Sequence, residues 1–109
     1  MTLTGNWSYP TAVKFGAGRI AELPAACEAT GTCIELNTGG LRKDCAEIYP
    51  NFEFLKLAKS AHVQITFGSD AHATHEVGMN LEDAVTLARE AGYDQCCRFT
   101  GCEQTVVDM

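Results

Sequence analysis

Short β-prone segments alternate with helical segments along this chain, and that alternation limits the folds it can adopt. The predicted strands are residues 11–15, 32–37, 62–67 and 95–99, and the predicted helices are residues 19–30, 52–61 and 81–91. Strands and helices in the order β-α-β-α-β-α-β form a parallel sheet with right-handed crossovers. Residues 103–107 are a candidate fifth strand, antiparallel to the fourth. The sequence therefore predicts one small α/β domain over residues 1–109.

Local signals set the expected ends of the helices. Proline is tolerated only in the first turn of a helix, so Pro24 predicts that the first helix proper begins near Leu23, and Gly31 is its expected stop. Asn51 and Asn80 are placed to cap the second and third helices. The expected apolar face of the second helix consists of Phe54, Leu55, Leu57 and Ala58.

The charge balance argues against two classes of partner. The chain has 109 residues, with 14 acidic against 8 basic side chains and a formal net charge of −6. A chain this acidic is poorly suited to bind nucleic acid or an anionic membrane surface. It contains no apolar run near the roughly 20 residues of a membrane helix, and its first ten residues do not resemble a signal peptide. We therefore expect a cytoplasmic protein that binds neither nucleic acid nor membrane.

The cysteines allow two interpretations. The six of them form no C-x-x-C motif and, in a reducing compartment, are expected to fill the core as small apolar side chains. The alternative is a metal-binding or redox role for Cys97 and Cys102. The six are Cys27, Cys33, Cys45, Cys96, Cys97 and Cys102.

An acid and an imidazole follow the third predicted strand. The segment 68–72 reads Gly68-Ser69-Asp70-Ala71-His72 and comes directly after an apolar run. In α/β folds, ligands bind where strands leave the sheet at their carboxyl ends. A carboxylate with a neutral imidazole suits Zn, Fe or Mn. Asp70 and His72 are therefore candidate metal ligands.

Further ligands are harder to find in this chain. His75 is a candidate third ligand, in the pattern Asp70-x-His72-x-x-His75, and a surface histidine without a ligand is the alternative. His62 opens a predicted strand and is expected to be a polar edge residue. A catalytic metal site usually needs three or more protein groups. A dimer would double the number of ligands across its two-fold axis.

A second polar loop follows the second predicted strand. It contains Asn37, two glycines, and then Arg42 and Lys43. Glycines let a ligand approach the backbone, and an arginine side chain can grip a phosphate with two hydrogen bonds. The alternative is a solvated basic pair beside neighbouring acids. Glu35, on the strand itself, could also face this site.

From about residue 32 to residue 107, the chain resembles the C-terminal part of the PHP-type histidinol phosphatases. Several short blocks match in the same order. They are Ile34-Glu35-Leu36-Asn37-Thr38, Gly40-Leu41-Arg42-Lys43, Glu47-Ile48-Tyr49-Pro50, Leu55-Lys56-Leu57-Ala58-Lys59, Gly68-Ser69-Asp70-Ala71-His72, Val77-Gly78 and Ala88-Arg89-Glu90-Ala91-Gly92-Tyr93.

This resemblance implies a partial (β/α)7 barrel, a divalent metal cofactor (Zn, Mn or Fe) and hydrolysis of phosphate monoesters. It places metal-ligand roles on Asp70 and His72. It also implies contact of Arg42 with a substrate phosphate, with Asn37 and Lys43 lining the same loop. The family's other ligands come largely from an upstream His-x-His and from earlier strands, and this chain has no His-x-His. Whether the chain is an enzyme is therefore left open.

Residues 6–31 resemble a different family, the extreme N-terminus of iron-containing alcohol dehydrogenases. The matching text is Asn6-Trp7, Tyr9-Pro10-Thr11, Phe15-Gly16-Ala17-Gly18-Arg19-Ile20 and Glu22-Leu23-Pro24. The segment carries neither that family's metal ligands nor its nucleotide loop, so no nucleotide cofactor is expected. The chain is therefore predicted to be composite, with a dehydrogenase-like segment 1–31 and a PHP-like segment 32–109.

Three functions remain as hypotheses. The favoured one is a truncated PHP-type phosphoesterase domain that retains part of its metal and phosphate site and is weakly active or inactive alone. The second is an active phosphoesterase completed by oligomerisation, and the third is a non-catalytic interaction or assembly module. Because a sheet cut from a barrel has open edges, we expect a homo-oligomer, most simply a dimer. The expected small-molecule partner is a phosphorylated compound.

Overall fold

A computed structural model describes residues 16–109. Three helices and four strands follow one another in this part of the chain. They are α1 (Leu23–Thr30), β1 (Ile34–Asn37), α2 (Phe52–Ser60), β2 (Ile65–Gly68), α3 (Leu81–Glu90), β3 (Gln95–Thr100) and β4 (Glu103–Asp108). Short 3₁₀ helices cover Arg19–Glu22, Thr38–Arg42 and Thr74–Glu76. The predicted strand 11–15 lies outside the described residues.

All three described helices begin where the sequence predicts, at Leu23, Phe52 and Leu81. Helix α1 begins at Leu23 with Pro24 in its first turn, and Gly31 ends it with a left-handed backbone at φ 70°. Asn51 caps α2, because its side-chain oxygen accepts a hydrogen bond from the Phe54 amide at 2.9 Å. The prediction of a side-chain cap by Asn80 is wrong. Its backbone is left-handed (φ 61°), and its side-chain nitrogen donates a hydrogen bond to Asp83 Oδ2 at 2.9 Å. Its side chain makes no capping hydrogen bond to the helix.

The strands form two small sheets. β1 and β2 are parallel, with Ile34 opposite Ile65 and Asn37 opposite Gly68. β3 and β4 form an antiparallel hairpin, with Gln95 opposite Asp108. The described part of the chain is thus a mixed α/β domain, with a short parallel sheet and a separate antiparallel one.

The prediction that the strand at 95–99 continues the parallel sheet is therefore wrong. The expectation of an antiparallel partner at 103–107 is confirmed. Side-chain chemistry explains part of the difference, because the Thr66 hydroxyl on β2 donates to the Cys97 carbonyl on β3 at 2.9 Å. That contact occupies an acceptor which a parallel ladder would use. The wider (β/α)7 barrel stays a prediction.

Helix α2 connects two apolar clusters. Leu55 belongs to the larger cluster, with Leu36, Ile65, Ala84, Ala88, Ala91 and Tyr93. Ala58 belongs to the smaller one, with Cys27 and Val63. Leu57, which the sequence analysis assigned to the buried face, is 54% exposed. At 100° per residue, Leu57 lies about 200° around the helix from Leu55, on the solvent side.

None of the helices within residues 16–109 has the length and apolar content needed to cross a lipid bilayer.

Tyr93 gives the fold a measurable dependence on alkaline pH. Its hydroxyl donates to the Val63 carbonyl at 2.9 Å, and burial raises its pKa from 10 to about 12. The folded protein therefore holds this proton more tightly than the unfolded chain does. The contribution of Tyr93 to stability is fully present below about pH 10 and is lost as the pH rises toward 12.

We expect the difference in unfolding free energy between wild type and Tyr93→Phe to shrink across this window. Urea unfolding of both proteins at several pH values measures that difference. Contributions of all other ionisable groups to the free energy of unfolding cancel in it, because both proteins contain them. A difference that stays constant with pH would contradict the assigned environment of the hydroxyl.

Candidate functional site

The candidate site lies where β1 and β2 end. Because the two strands are parallel, their carboxyl ends meet at one edge of the sheet. β1 continues into the 3₁₀ helix Thr38–Arg42, and β2 continues into the loop 69–80. The two segments are in contact, since a β-carbon added at Gly39 would lie 2.9 Å from Asp70 Cβ. Gly39 and Asp70, 31 positions apart in the sequence, are thus brought to one place.

Asp70 is an exposed carboxylate with a cation beside it. Its backbone is left-handed at φ 52°, a conformation that aspartate tolerates better than most residues. Lys43 Nζ lies 3.8 Å from Asp70 Oδ2, and both side chains remain partly accessible to solvent. The fold therefore places the predicted ligand Asp70 next to the predicted phosphate-binding residue Lys43.

His72 presents one defined nitrogen to the surroundings. Its Nδ1 lies 2.8 Å from the Asp70 carbonyl oxygen. A carbonyl can only accept a hydrogen bond, so this contact favours the tautomer in which Nδ1 carries the proton and Nε2 carries the lone pair. Metal-binding histidines are commonly oriented by such a bond to a backbone carbonyl. Asp70 and His72 are therefore linked in the arrangement that a ligand histidine needs.

The Arg42 guanidinium makes hydrogen bonds within the protein. Its Nη2 donates to the Ser69 carbonyl at 2.6 Å and to the Asp70 carbonyl at 3.2 Å. Its Nε lies 3.4 Å from Glu76 Oε1. The remaining nitrogen, Nη1, is buried and makes no hydrogen bond with the described residues. The guanidinium thus anchors the loop that carries Asp70 and His72, and its hydrogen bonds are directed at protein groups.

Glu76 is a site residue that the sequence analysis missed. Its Oε2 accepts hydrogen bonds from the backbone amides of His72 at 2.7 Å and Ala73 at 3.2 Å. The His72 amide is the main cause that lowers the pKa of Glu76, and Arg42 lowers it further. The sequence signal that could have predicted this role is the position of Glu76 at the end of a short helical turn, three residues after Ala73. A carboxylate at that position can reach back to the free amides at the start of the turn.

Asn37 and Glu35 complete this edge of the sheet. Asn37 Oδ1 accepts a hydrogen bond from the Gly39 amide at 2.8 Å, and Asn37 Nδ2 donates to Glu35 Oε1 at 3.0 Å. The Glu35 carboxylate covers Gly68 on the adjacent strand, because a β-carbon there would lie 2.6 Å from Glu35 Oε2. Asn37 therefore holds the loop that follows β1, and Glu35 lies next to the start of the Asp70 loop.

The candidate metal ligands do not all lie together in the described part of the chain. Among residues 16–109, no group of three or more His, Cys, Asp or Glu side chains lies close enough to hold a metal ion. His75 is exposed on the turn Thr74–Glu76 and is not brought together with Asp70 and His72 in such a group. Within residues 16–109, Asp70 and His72 are thus the two donors of suitable chemistry that the fold brings together, and protein metal sites usually have three.

Two curated proteins are similar to part of this chain. A protein named "Probable histidinol-phosphatase" from Deinococcus radiodurans is 39% identical over 62 residues, which cover 57% of this chain and 24% of that protein. A protein of the same name from Schizosaccharomyces pombe is 31% identical over 67 residues, which cover 62% of this chain and 22% of that protein. No family model matches the chain.

These matches support a relationship to histidinol phosphatases over part of the chain. The chain spans less than a quarter of the length of either relative. The resemblance of residues 6–31 to alcohol dehydrogenases, and with it the composite origin, stays a prediction.

Proposed function

We propose that this chain is a PHP-type phosphoesterase domain that carries part of a metal and phosphate site. The partial similarity to two histidinol phosphatases supports the class. The observation that carries the proposal is the orientation of His72, whose Nδ1 is tied to the Asp70 carbonyl at 2.8 Å. In the tautomer that this bond favours, Nε2 is the nitrogen that can bind a metal ion, and His72 lies on the same loop as Asp70, at the edge where parallel sheets bind ligands.

Each polar residue of the site has a part in this proposal. His72 Nε2 and the Asp70 carboxylate would hold a divalent ion, which when bound activates water and neutralises phosphoryl charge. Lys43 is the accessible cation beside Asp70 and would attract the phosphate group. Arg42 and Glu76 hold the loop in place through its carbonyls and amides. With two donors per chain, we expect weak metal binding and weak or absent hydrolysis.

A self-associated form is the second candidate, because a copy of the chain would supply further donors. Exposed apolar side chains favour it, among them Ile20 at 64% and Phe99 at 52% exposure. The described residues form two sheets of two strands each, and a strand edge that no other strand covers can pair with another chain. We propose a homodimer, and light scattering on the eluting protein measures its mass. A monomer at all concentrations tested would contradict this part.

Metal titration tests the proposed site directly. We expect Zn²⁺ or Mn²⁺ to bind the purified protein weakly by calorimetry, and Asp70→Ala and His72→Ala to lose that binding. His62→Asn is the matched control, because it removes an exposed histidine away from the site and asparagine tolerates the left-handed backbone at φ 60°. Binding that survives in both site variants would contradict the assignment.

Activity assays separate the three hypotheses. The protein is incubated with Mn²⁺, Zn²⁺ or Fe²⁺ and either histidinol phosphate or p-nitrophenyl phosphate. Little or no phosphate release with weak metal binding supports the proposal. Efficient release that is lost in Asp70→Ala supports an enzyme completed by association. A protein that binds no metal and releases no phosphate would be explained better as a non-catalytic module.

A further inference from the structure

Two cysteines on different sheets share one hydrogen-bond donor. Cys33 lies directly before β1, and Cys97 lies in β3. The side-chain Nε2 of Gln104, on β4, donates to Cys33 Sγ at 3.3 Å and to Cys97 Sγ at 3.2 Å. Both sulfurs therefore lie against the same nitrogen atom.

The two sulfurs lie beside the same pair of side-chain amides. Gln104 Nε2, which contacts both sulfurs, also donates to Gln64 Oε1 at 2.6 Å, and the Cys97 thiol donates to that same oxygen at 3.2 Å. Cys97 is 3% exposed and Cys33 is half-buried. Neither sulfur takes part in the candidate site, which lies at the opposite, carboxyl end of β1. The interpretation of these two cysteines as small apolar side chains that fill the core does not account for their hydrogen bonds with the amides of Gln64 and Gln104.

We propose that Cys33 and Cys97 form a reversible disulfide that joins the parallel sheet to the β3–β4 hairpin when the protein meets a peroxide. One thiol is oxidised to a sulfenic acid, and the peroxide is reduced with release of one water. The second sulfur then displaces the hydroxyl group, which leaves as another water. In total, the two thiols lose two protons and two electrons, and hydrogen peroxide becomes two waters.

The surroundings of Cys33 make this reaction slow at neutral pH. Burial is the main cause that raises its pKa to about 12, and the thiols of Cys97 on β3 and Cys27 on α1 add to the effect. The amides of Gln64 and Gln104 carry no charge. The thiolate is the reactive form of cysteine, and a raised pKa leaves little thiolate at neutral pH. The pair is therefore expected to oxidise slowly when an oxidant is supplied, and to oxidise faster in alkali.

The bond would also stabilise the fold. It would join two distant parts of the chain, and closing a long loop constrains the unfolded state. We expect the melting temperature of the oxidised protein to exceed that of the reduced protein by roughly 10 °C. Dithiothreitol should reverse the increase.

The full chain carrying Cys45→Ser and Cys102→Ser tests the proposal, since it lacks the two exposed thiols that would link separate molecules. After hydrogen peroxide treatment and alkylation, mass spectrometry should find a peptide linking Cys33 to Cys97. The adjacent Cys96 is resolved by fragmentation and by Cys96→Ser, which should keep the link. Cys33→Ser should remove both the link and the thermal shift.

Three results would overturn the proposal. One is a disulfide that uses Cys27 or Cys96 in place of the proposed pair. Another is a protein in which Cys33 and Cys97 stay open to alkylation after unfolding. The third is peroxide converting Cys33 to a sulfinic acid without any crosslink. Metal binding by Asp70 and His72 is measured separately, so the two proposals fail independently.

Discussion

Replacing Gly40 with alanine is expected to destabilise the protein by about 3 kcal/mol or more. A β-carbon at this position would overlap the backbone carbonyl oxygen of Glu47 and come within 2.6 Å of the Tyr49 ring. A backbone atom cannot rotate away, so the segment that carries Arg42 and Lys43 would have to move. This cost is a large part of the 5–15 kcal/mol that usually holds a small domain together.

Urea unfolding followed by circular dichroism measures the effect, and Gly68→Ala is the matched control. The atoms nearest to a β-carbon at Gly68 would be those of the Glu35 carboxylate, at 2.6–2.8 Å, and a flexible carboxylate can move aside. We expect Gly68→Ala to cost less than about 1 kcal/mol, as most substitutions without a rigid clash do. Equal costs for the two variants would contradict the close approach at Gly40.

Leu55→Ala is expected to cost about 2–5 kcal/mol of stability. Leu55 is fully buried in the larger apolar cluster, between Leu36 and Ile65 of the parallel strands and the alanines of α3. Truncating it removes apolar contacts and leaves a cavity that the strands cannot readily close. The unfolding midpoint in urea, with the slope unchanged, gives the value.

Leu57→Ala is the control on the same helix. It makes the same chemical change and the same gain in helix propensity, but Leu57 is 54% exposed. We expect a change within about 0.5 kcal/mol in the monomer. A loss as large as that of Leu55→Ala would mean that the exposed face of α2 is covered in solution, which would support the proposed self-association.

The sequence predicted the elements that depend on neighbouring residues. Asn51 caps α2 and Gly31 ends α1, because these signals act within one turn of the chain. The position of Asp70 and His72 directly after a strand was also predictable, since an apolar run followed by a polar loop marks the end of a strand. The bond that orients His72 is equally local, because it spans only two residues.

Apart from the Asn80 cap, the failures concern contacts between distant residues. The apolar residues of α2 extend around more of the helix than the protein core covers. The sequence therefore wrongly places Leu57 on the buried face. β3 pairs with β4 in an antiparallel hairpin, and its contact with β2 runs through the Thr66 hydroxyl, which donates to the Cys97 carbonyl. The local sequence pattern shows neither the exposure of Leu57 nor the separation of β3 from the parallel sheet. Each depends on where another element of the fold packs.

The sequence by itself determined the helices and strands and the presence of an acid and a histidine at a strand end. Only the tertiary structure decided that Arg42 binds the carbonyls of the loop after β2, and that Cys33 and Cys97 share the side-chain amide of Gln104. The physical reason is that hydrogen bonds within a turn follow from backbone geometry alone. A partner many residues away is fixed only when the packed core brings two strand ends to the same edge.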